Sequence, residues 1–293
     1  MVLCGLTPRL LTIQTPGADL AVWDWPGHGP ALLFAHATGF HGRCWDWIVR
    51  HFPGRRVIAP DLRGHGRSSK PEPPYDWGVF GEELASVAAQ LDLTGAIGIG
   101  HSMGGHSIVA AAARRPETFA SLLLVDPTIF APDYYGVPQR YDTSFIRKRR
   151  NVWQSADEMI ERFRGRFPFS GWRPEILRDY CEFGLLPAGE GYVLACPPDI
   201  EAAIYARSNA TESDLYPVIP SVTQPVTILR GGHPWNREQF DLASSPTDPD
   251  LASKFPNARD VFLEGQSHYI PMEAPELVVT EIEKLAACGR ARL

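Results

Sequence analysis

The sequence predicts an α/β protein with a mostly parallel central sheet, helices on both faces of that sheet, and an inserted helical cap. Short apolar runs alternate with longer helical patterns in the first part of the chain, which is typical of a parallel sheet covered on both faces. The strand pattern stops after residue 126 and resumes after residue 216. With 293 residues, 44% of them hydrophobic, the chain is long enough for one large domain with an insertion. We therefore assign 1–126 and 217–293 to the core and 127–216 to the cap.

Hydrophobic periodicity assigns the elements of the core in chain order. Short apolar runs bounded by Gly or Pro predict strands, and apolar residues at three- and four-residue spacing predict helices. Helices are expected at 79–93, directly after Ser102, and at 275–289. Strands are expected at 20–25, 31–36, 56–60, 96–100, 121–126, 225–230 and 258–265.

The expected cap shows no strong buried strand and instead reads as short amphipathic helices, at 142–153, 155–167, 173–187 and 198–208. Ser155 followed by Glu158 predicts a capping box at the start of one of them. The basic run at 145–151 is expected to be a solvated helix face. Aromatic residues of the cap are expected to roof a pocket or to form the cap's own core: Phe130, Tyr134, Tyr135, Phe145, Trp153, Phe163, Phe167, Phe169 and Trp172.

Ser102 is the candidate nucleophile, because it stands in the pentapeptide Gly100-His101-Ser102-Met103-Gly104 between a predicted strand and a predicted helix. In a Gly-x-Ser-x-Gly sequence, the glycines allow a sharp strand-to-helix turn that lifts the serine hydroxyl above the edge of the sheet. A glycine-rich packing turn is the alternative explanation of the same five residues.

His268 is the candidate general base. It closely follows the last predicted strand and lies late in the chain, which fits the order serine, acid, histidine. The backbone N–H groups of Ala37 and Met103 are the candidate oxyanion donors, since one follows a strand and the other opens a helix. His36 is expected to shape its loop by hydrogen bonding without transferring a proton.

Four stretches together resemble the α/β-hydrolase-fold serine hydrolases that carry a helical cap, particularly the esterase- and lipase-like members: HATGF, DLRGHGRS, GHSMGG and SHYIPMEAPE. The resemblance covers nearly the whole chain. It implies a third catalytic residue, an acid, which the family usually carries on the loop after the strand before last. That loop departs from the pattern and offers only Glu238 and Asp241 in its later part. Some members place the acid after the preceding strand instead, where this chain has Asp126. We expect Asp126 to be the acid and leave 233–241 as the alternative.

The expected activity is hydrolysis of a carboxylic ester, with a lactone or thioester as variants, through an acyl-enzyme formed on Ser102. Acyl transfer, hydrolysis of a carbon–carbon bond, perhydrolysis and a non-catalytic binding role stay open. The substrate is expected to be a small, hydrophobic molecule.

No cofactor, metal, nucleic-acid partner or membrane span is expected, because the net charge is −6 and neither metal-ligand spacing nor a long apolar run occurs. Five scattered cysteines favour a reduced, cytoplasmic protein. The final Ala-Arg-Leu loosely resembles a peroxisomal signal.

Overall fold

The computed structural model describes residues 7–138, 144–236 and 241–290. Its strands are β1 (Arg9–Thr15), β2 (Ala18–Trp25), β3 (His28–Ala35), β4 (Arg55–Pro60), β5 (Ala96–His101), β6 (Phe119–Val125), β7 (Val152–Trp153), β8 (Leu185–Ala188), β9 (Gly191–Leu194), β10 (Val226–Gly231) and β11 (Ala258–Leu263). Its α-helices are α1 (Asp46–Val49), α2 (Trp77–Gln90), α3 (Met103–Arg114), α4 (Ser144–Arg147), α5 (Ala156–Phe163), α6 (Pro174–Phe183), α7 (Pro198–Tyr205), α8 (Ile270–Glu273) and α9 (Pro275–Arg290).

The central sheet has eight strands within the described residues, in the order β1-β2-β4-β3-β5-β6-β10-β11. In this sheet β4, β3, β5, β6, β10 and β11 pair in parallel with one another, while β2 pairs antiparallel with both β1 and β4. The expected mostly parallel sheet is thus confirmed, and all seven expected core strands are present. The carboxyl ends of the parallel strands meet at one edge, which is where α/β folds place their ligand sites.

The core lies in two layers, one on each face of the sheet. In β3, Leu33 and Ala35 pack into one layer while Leu32 and Phe34 pack into the other, because side chains alternate along a strand. The first layer is closed by α2 and α3, and the second by α1 and α9. Burial on both faces explains why these strands read as continuous apolar runs.

The segment between β6 and β10 contains the helices α4 to α7. It also contains a small antiparallel sheet, in the order β7-β9-β8, that the sequence analysis did not predict. These strands are only two to four residues long and each has a single buried residue, so they carry no buried apolar run. The capping box is confirmed, since Ser155 Oγ accepts the N–H of Glu158 at 3.1 Å.

Three further expectations concern the chain as a whole. No helix in the described part of the chain is long and apolar enough to cross a membrane. Of the cysteines that the structure describes, Cys44, Cys181 and Cys196 are buried and Cys288 is exposed, and all four are free thiols. The final Ala-Arg-Leu lies outside the described residues.

Candidate active site

Ser102 occupies a strained turn between β5 and α3. Its backbone has φ 57° and ψ −122°, a conformation that residues with a side chain rarely adopt. The turn is held by hydrogen bonds from the Ser102 N–H to the Val125 carbonyl at 3.1 Å and from the Gly105 N–H to the Ser102 carbonyl at 2.9 Å. The strain is therefore imposed by the packing of β5, α3 and β6 around the serine.

The glycines of the turn are required by close backbone contacts. A Cβ atom on Gly100 would lie 2.4 Å from the carbonyl oxygen of Gly104, and one on Gly104 would lie 2.1 Å from that of Ala35. A Cβ on Gly105 would lie 2.7 Å from the Pro127 side chain. Real atoms do not approach so closely, so any larger residue would push α3 away from the sheet. The glycines of this motif thus let the helix start directly against the strand ends.

His268 and Asp126 form a buried pair. Nδ1 of His268 lies 2.6 Å from Oδ2 of Asp126, although the two residues are 142 positions apart in the chain. His268 lies just before α8 and is held through its main chain, since its N–H donates to the Ala243 carbonyl at 2.8 Å and its carbonyl accepts from Nε2 of His101 at 2.8 Å. Asp126 follows β6 directly and has φ 44°.

The second carboxylate oxygen of Asp126 is saturated by donors from the loop after β10. Oδ1 accepts the N–H of Gly231 at 2.8 Å, the hydroxyl of Ser245 at 2.6 Å and the hydroxyl of Thr247 at 3.3 Å. This is the loop where the resembled family usually carries its acid. In this chain the described part of the loop supplies hydrogen-bond donors to a carboxylate on the neighbouring strand.

Of the two alternative acids, the structure describes only Asp241. The carboxylate of Asp241 accepts from the N–H of Ala243 at 2.9 Å and from the hydroxyl of Ser244 at 3.2 Å, so it closes its own turn. Glu238 lies outside the described residues. The Nδ1 position of His268 is taken by Asp126.

The loop after β3 lies against the start of α3. Ala37 is buried, and the hydroxyl of the next residue, Thr38, lies 3.4 Å from the sulfur of Met103. Met103 is the first residue of α3, and the first N–H groups of a helix lack partners within the helix. The two expected oxyanion donors therefore belong to adjoining segments beside Ser102.

Two histidines fix that loop. His36 donates from Nδ1 to the Ala37 carbonyl at 2.8 Å and accepts the Leu62 N–H at Nε2 at 2.9 Å, which requires the neutral imidazole. Burial, reinforced by the nearby His65, lowers the pKa of His36 well below its usual value. Nε2 of His65 accepts the N–H of Gly39 at 3.0 Å. The structural role expected for His36 is confirmed, and the hydrogen bond from Gly39 to His65 fixes the same loop at a second point.

The hydroxyl of Ser102 is bonded to Thr128, a residue that the sequence analysis did not single out. The two oxygens lie 3.0 Å apart, and the Thr128 N–H also donates to the Ser102 carbonyl at 3.1 Å. Within the described residues, Ser102 makes no hydrogen bond to His268, although both line the same cavity. Catalytic hydrogen bonds often tighten only when substrate binds.

The cavity that holds Ser102 and His268 is narrow, at about 30 Å³. Asp241 is the only carboxylate among its described lining residues. Its apolar walls come from both the core and the inserted segment, and include Trp77, Phe130, Tyr205, Trp235 and Leu242. No group of three or more His, Cys, Asp or Glu side chains in the described ranges is arranged to hold a metal ion.

The aromatic residues expected to roof a pocket divide into three groups. Phe130 lines the Ser102 cavity, Tyr134 lines a cavity of about 350 Å³ beside it, and Phe145, Phe163, Phe169 and Trp172 line another of about 160 Å³. Trp153 is buried against Phe163 in the interior of the inserted segment, and Tyr135 packs on Tyr216. Phe167 is 66% exposed.

The basic run at 145–151 is only partly the solvated face that we expected. Arg149 turns inward, where its guanidinium pairs with the carboxylate of Glu201 and donates to the hydroxyl of Tyr180 at 3.2 Å. Its partner Glu201 is buried in α7, 52 positions further along the chain, so no local pattern reveals the pair.

Comparison with known proteins identifies the family of this chain. The family model described as the alpha/beta hydrolase family matches residues 32–281. This chain belongs to the alpha/beta hydrolase family. One hydrolase relative, 2-(acetamidomethylene)succinate hydrolase of Mesorhizobium japonicum, is 29% identical over 261 residues, which are 87% of each chain. Lipase LipV of Mycobacterium tuberculosis is 38% identical over a shorter match, 38% of this chain and 42% of the lipase.

Solved structures of other proteins superpose closely on this fold. The crystal structure of E-2-(acetamidomethylene)succinate hydrolase has a TM-score of 0.76 at 25% identity and covers 96% of this chain and 99% of its own. The thioesterase domain from the curacin biosynthetic pathway has a TM-score of 0.73 at 21% identity, with 94% and 99% covered. The second likeness shows the fold alone.

Proposed function

We propose that this alpha/beta hydrolase cleaves a carboxylic ester by a two-step acyl-enzyme mechanism, with Ser102 as nucleophile, His268 as general base and Asp126 as the acid. The observation that carries the proposal is the buried 2.6 Å contact between His268 and Asp126 beside a cavity that also holds Ser102. A serine, a histidine and a carboxylate in that relation are the elements of the Ser-His-Asp triad.

In the proposed mechanism each group has a defined role. The Ser102 hydroxyl attacks the ester carbonyl carbon as His268 takes its proton, and the N–H groups of Ala37 and Met103 bind the oxyanion that forms. The carbon–oxygen bond to the alcohol then breaks, and His268 returns the proton to the departing alcohol. Water next attacks the acyl-enzyme with His268 again as base, which releases the carboxylic acid and restores Ser102. Asp126 orients the ring and stabilises the imidazolium.

The cavity favours a neutral, hydrophobic ester. The described walls around Ser102 are mainly aromatic and aliphatic, and Asp241 would repel an anionic substrate. The relative from Mesorhizobium japonicum acts, by its name, on a succinate, and this lining argues that the present chain takes a different acyl group. The segment 127–216 serves as the cap that supplies part of this lining.

Labelling with a fluorophosphonate tests the assignment. One adduct on Ser102 is expected by peptide mapping, with no adduct on the Ser102→Ala variant and no ester hydrolysis by it. Labelling of another serine, or normal turnover by Ser102→Ala, contradicts the proposal. A chain that neither labels nor turns over esters would instead fit a binding protein.

Product analysis then separates the related reactions. Esters hydrolysed with and without an added alcohol or hydrogen peroxide distinguish hydrolysis from acyl transfer and from peracid formation. A panel that also contains a β-diketone reports hydrolysis of a carbon–carbon bond. The proposal expects that esters are cleaved and that the β-diketone is not. It also expects free carboxylic acid as the main product, with or without the added alcohol or hydrogen peroxide.

A further inference from the structure

A second cavity, of about 160 Å³, lies beside the candidate active site and has an unusual lining. Aromatic side chains dominate its walls, among them Phe40, Phe163, Phe169, Trp172, Tyr205 and Tyr269. The cavity also reaches Thr38 and Gly39 of the loop that carries the proposed oxyanion donor. Tyr205 and Leu242 line both this cavity and the one that holds Ser102.

Its volume matches a single ring. An engineered apolar cavity of about 150 Å³ in another protein binds benzene. The Ser102 cavity, at about 30 Å³, has room for little more than the reacting ester group itself. The remainder of a substrate must therefore extend into neighbouring space, and the 160 Å³ cavity shares the side chains of Tyr205 and Leu242 with the Ser102 cavity.

The arrangement of the walls suits an aromatic ring better than an alkyl chain. Phe163 and Phe169 are stacked with centroids 4.3 Å apart, and Trp172 meets Phe169 edge to face at 4.8 Å. Phe40 and Tyr269 each pack against Trp172 within 5.7 Å. A ring that enters such a cluster gains further edge-to-face and offset-stacked contacts, which an alkyl chain of equal area does not make.

The ion pair between Arg149 and Glu201 at the cavity does not favour a charged ligand. The guanidinium of Arg149 is already paired with the carboxylate of Glu201, so the pair has no net charge to offer. A ligand carboxylate would gain the attraction of Arg149 but meet the repulsion of Glu201. The lining thus favours a neutral ring.

We propose that this cavity is a subsite for one neutral aromatic ring, so that the substrates are esters with a single six-membered aryl group close to the ester bond. This inference rests on the proposed ester hydrolysis and narrows its substrate class. The aryl group belongs to either the acid or the alcohol part of the ester, and two substrate series distinguish these cases.

The test compares aryl and alkyl esters on three proteins. A higher kcat/KM for vinyl phenylacetate than for vinyl hexanoate would place the ring in the acid part of the substrate. A higher kcat/KM for benzyl acetate than for hexyl acetate would place it in the alcohol part. In one series, the unmodified enzyme is expected to favour the aryl ester about tenfold in kcat/KM. Phe169→Ala removes one aromatic side chain from the lining of the 160 Å³ cavity and should abolish that preference. Labelling of Ser102 by a small fluorophosphonate, which does not reach this cavity, should proceed at the same rate. Phe167→Ala, a matched change at an exposed position two residues away, should keep the preference.

Fluorobenzene binding to the Ser102→Ala variant, measured by ¹⁹F NMR, tests whether the cavity accepts a ring independently of catalysis. Broadening of the fluorine line that is lost in Ser102→Ala/Phe169→Ala and kept in Ser102→Ala/Phe167→Ala supports the subsite even if ester hydrolysis itself fails. Absence of broadening, equal use of aryl and alkyl esters in both series, or equal effects of the Phe169 and Phe167 changes would overturn the proposal.

Discussion

At the residue scale, the carboxylate of Asp126 joins the loop after β10 to the imidazole of His268. One oxygen contacts His268 and the other is saturated by Gly231, Ser245 and Thr247. The carboxylate is therefore fixed from both sides, so that the imidazole is held in one orientation. That arrangement supports Asp126 as the proposed acid, whereas Asp241 closes its own turn.

Replacing Asp126 by Asn tests that role. The amide would present the wrong hydrogen-bonding group to Nδ1 and favour the wrong tautomer of His268, so we expect kcat to fall about 10⁴-fold. Steady-state kinetics on protein with an unchanged far-ultraviolet circular dichroism spectrum is the measurement. Asp241→Asn is the matched control and should lose less than about tenfold, as should Glu238→Gln. The opposite ranking of the variants would move the acid to the loop after β10.

The sequence indicates the proposed reactive residues more readily than the residues that support them. Ser102 could be proposed because glycines stand near it in the sequence, and His268 because it follows a strand late in the chain. Ser245 carries no local signal, since its contact with Asp126 spans 119 positions and exists only after the sheet has formed. Thr128 likewise contacts Ser102 only because β6 lies beside β5.

At the scale of the element, the start of α3 depends on glycine as much as on serine. Gly104→Ala would drive a Cβ into the carbonyl oxygen of Ala35, a backbone atom that cannot rotate away. We expect it to destabilise the fold by more than about 2 kcal/mol and to slow phosphonate labelling. Gly165→Ala is the control, because nothing lies within 4 Å of a Cβ there. Thermal unfolding of both variants measures the effect, and the melting temperature should fall for Gly104→Ala but not for Gly165→Ala. Equal melting temperatures would refute the steric argument.

Two tryptophans of the inserted segment should behave differently when replaced by Ala. Trp153 is 1% exposed and lines none of the cavities described above, so its loss should cost about 3–5 kcal/mol of stability and leave the ratio of ester rates unchanged. Trp172 lines the 160 Å³ cavity, so its loss should alter that ratio. Melting curves and an ester panel on both variants make the comparison. A shift in preference with Trp153→Ala, or none with Trp172→Ala, would show that the roles are assigned wrongly.

The strands that the sequence did not reveal share one property, which is the lack of a continuous buried face. Strand β1 lies at the edge of the sheet with exposed and half-buried residues only, and Leu10 in it is 47% exposed. Each of the short strands β7 to β9 has a single buried residue. Periodicity finds elements that bury a face, so such strands escape it. Their pairing is decided by neighbours distant in sequence.

At the scale of the whole molecule, the inserted segment packs on the core through a seam that contains buried carboxylates. Asp179 of α6 faces Asp46 of α1, with Arg50 and Arg43 from the core and Glu182 from α6 around it. The nearest cation to Asp179 is Arg50, at 3.7 Å, while Arg43 is engaged by Asp46. Burial, reinforced by Asp46, raises the pKa of Asp179 to about 7.

A raised carboxyl pKa makes the stability of this seam depend on pH. Below the unfolded value of 3.8, Asp179 is protonated in both states and imposes no penalty. Between that value and about 7, the folded state holds a proton that the unfolded state has lost, so the free energy of unfolding falls as pH rises. Above about 7 the penalty is constant. Neutralising this one side chain should therefore stabilise the protein at neutral and alkaline pH but not at acid pH.

Asp179→Asn puts that reasoning to the test. Because Asp179 is partly reached by solvent, we expect its stability relative to the unmodified protein to rise by only about 1 kcal/mol between about pH 4 and about pH 8. Urea unfolding at several pH values measures the difference between the two proteins, which cancels the groups that they share. Glu182→Gln, a change of an exposed carboxylate on the same helix, should show no such widening. A constant difference across this range would mean that Asp179 is ionised within the seam. An equal widening with Glu182→Gln would mean that the effect is not specific to Asp179.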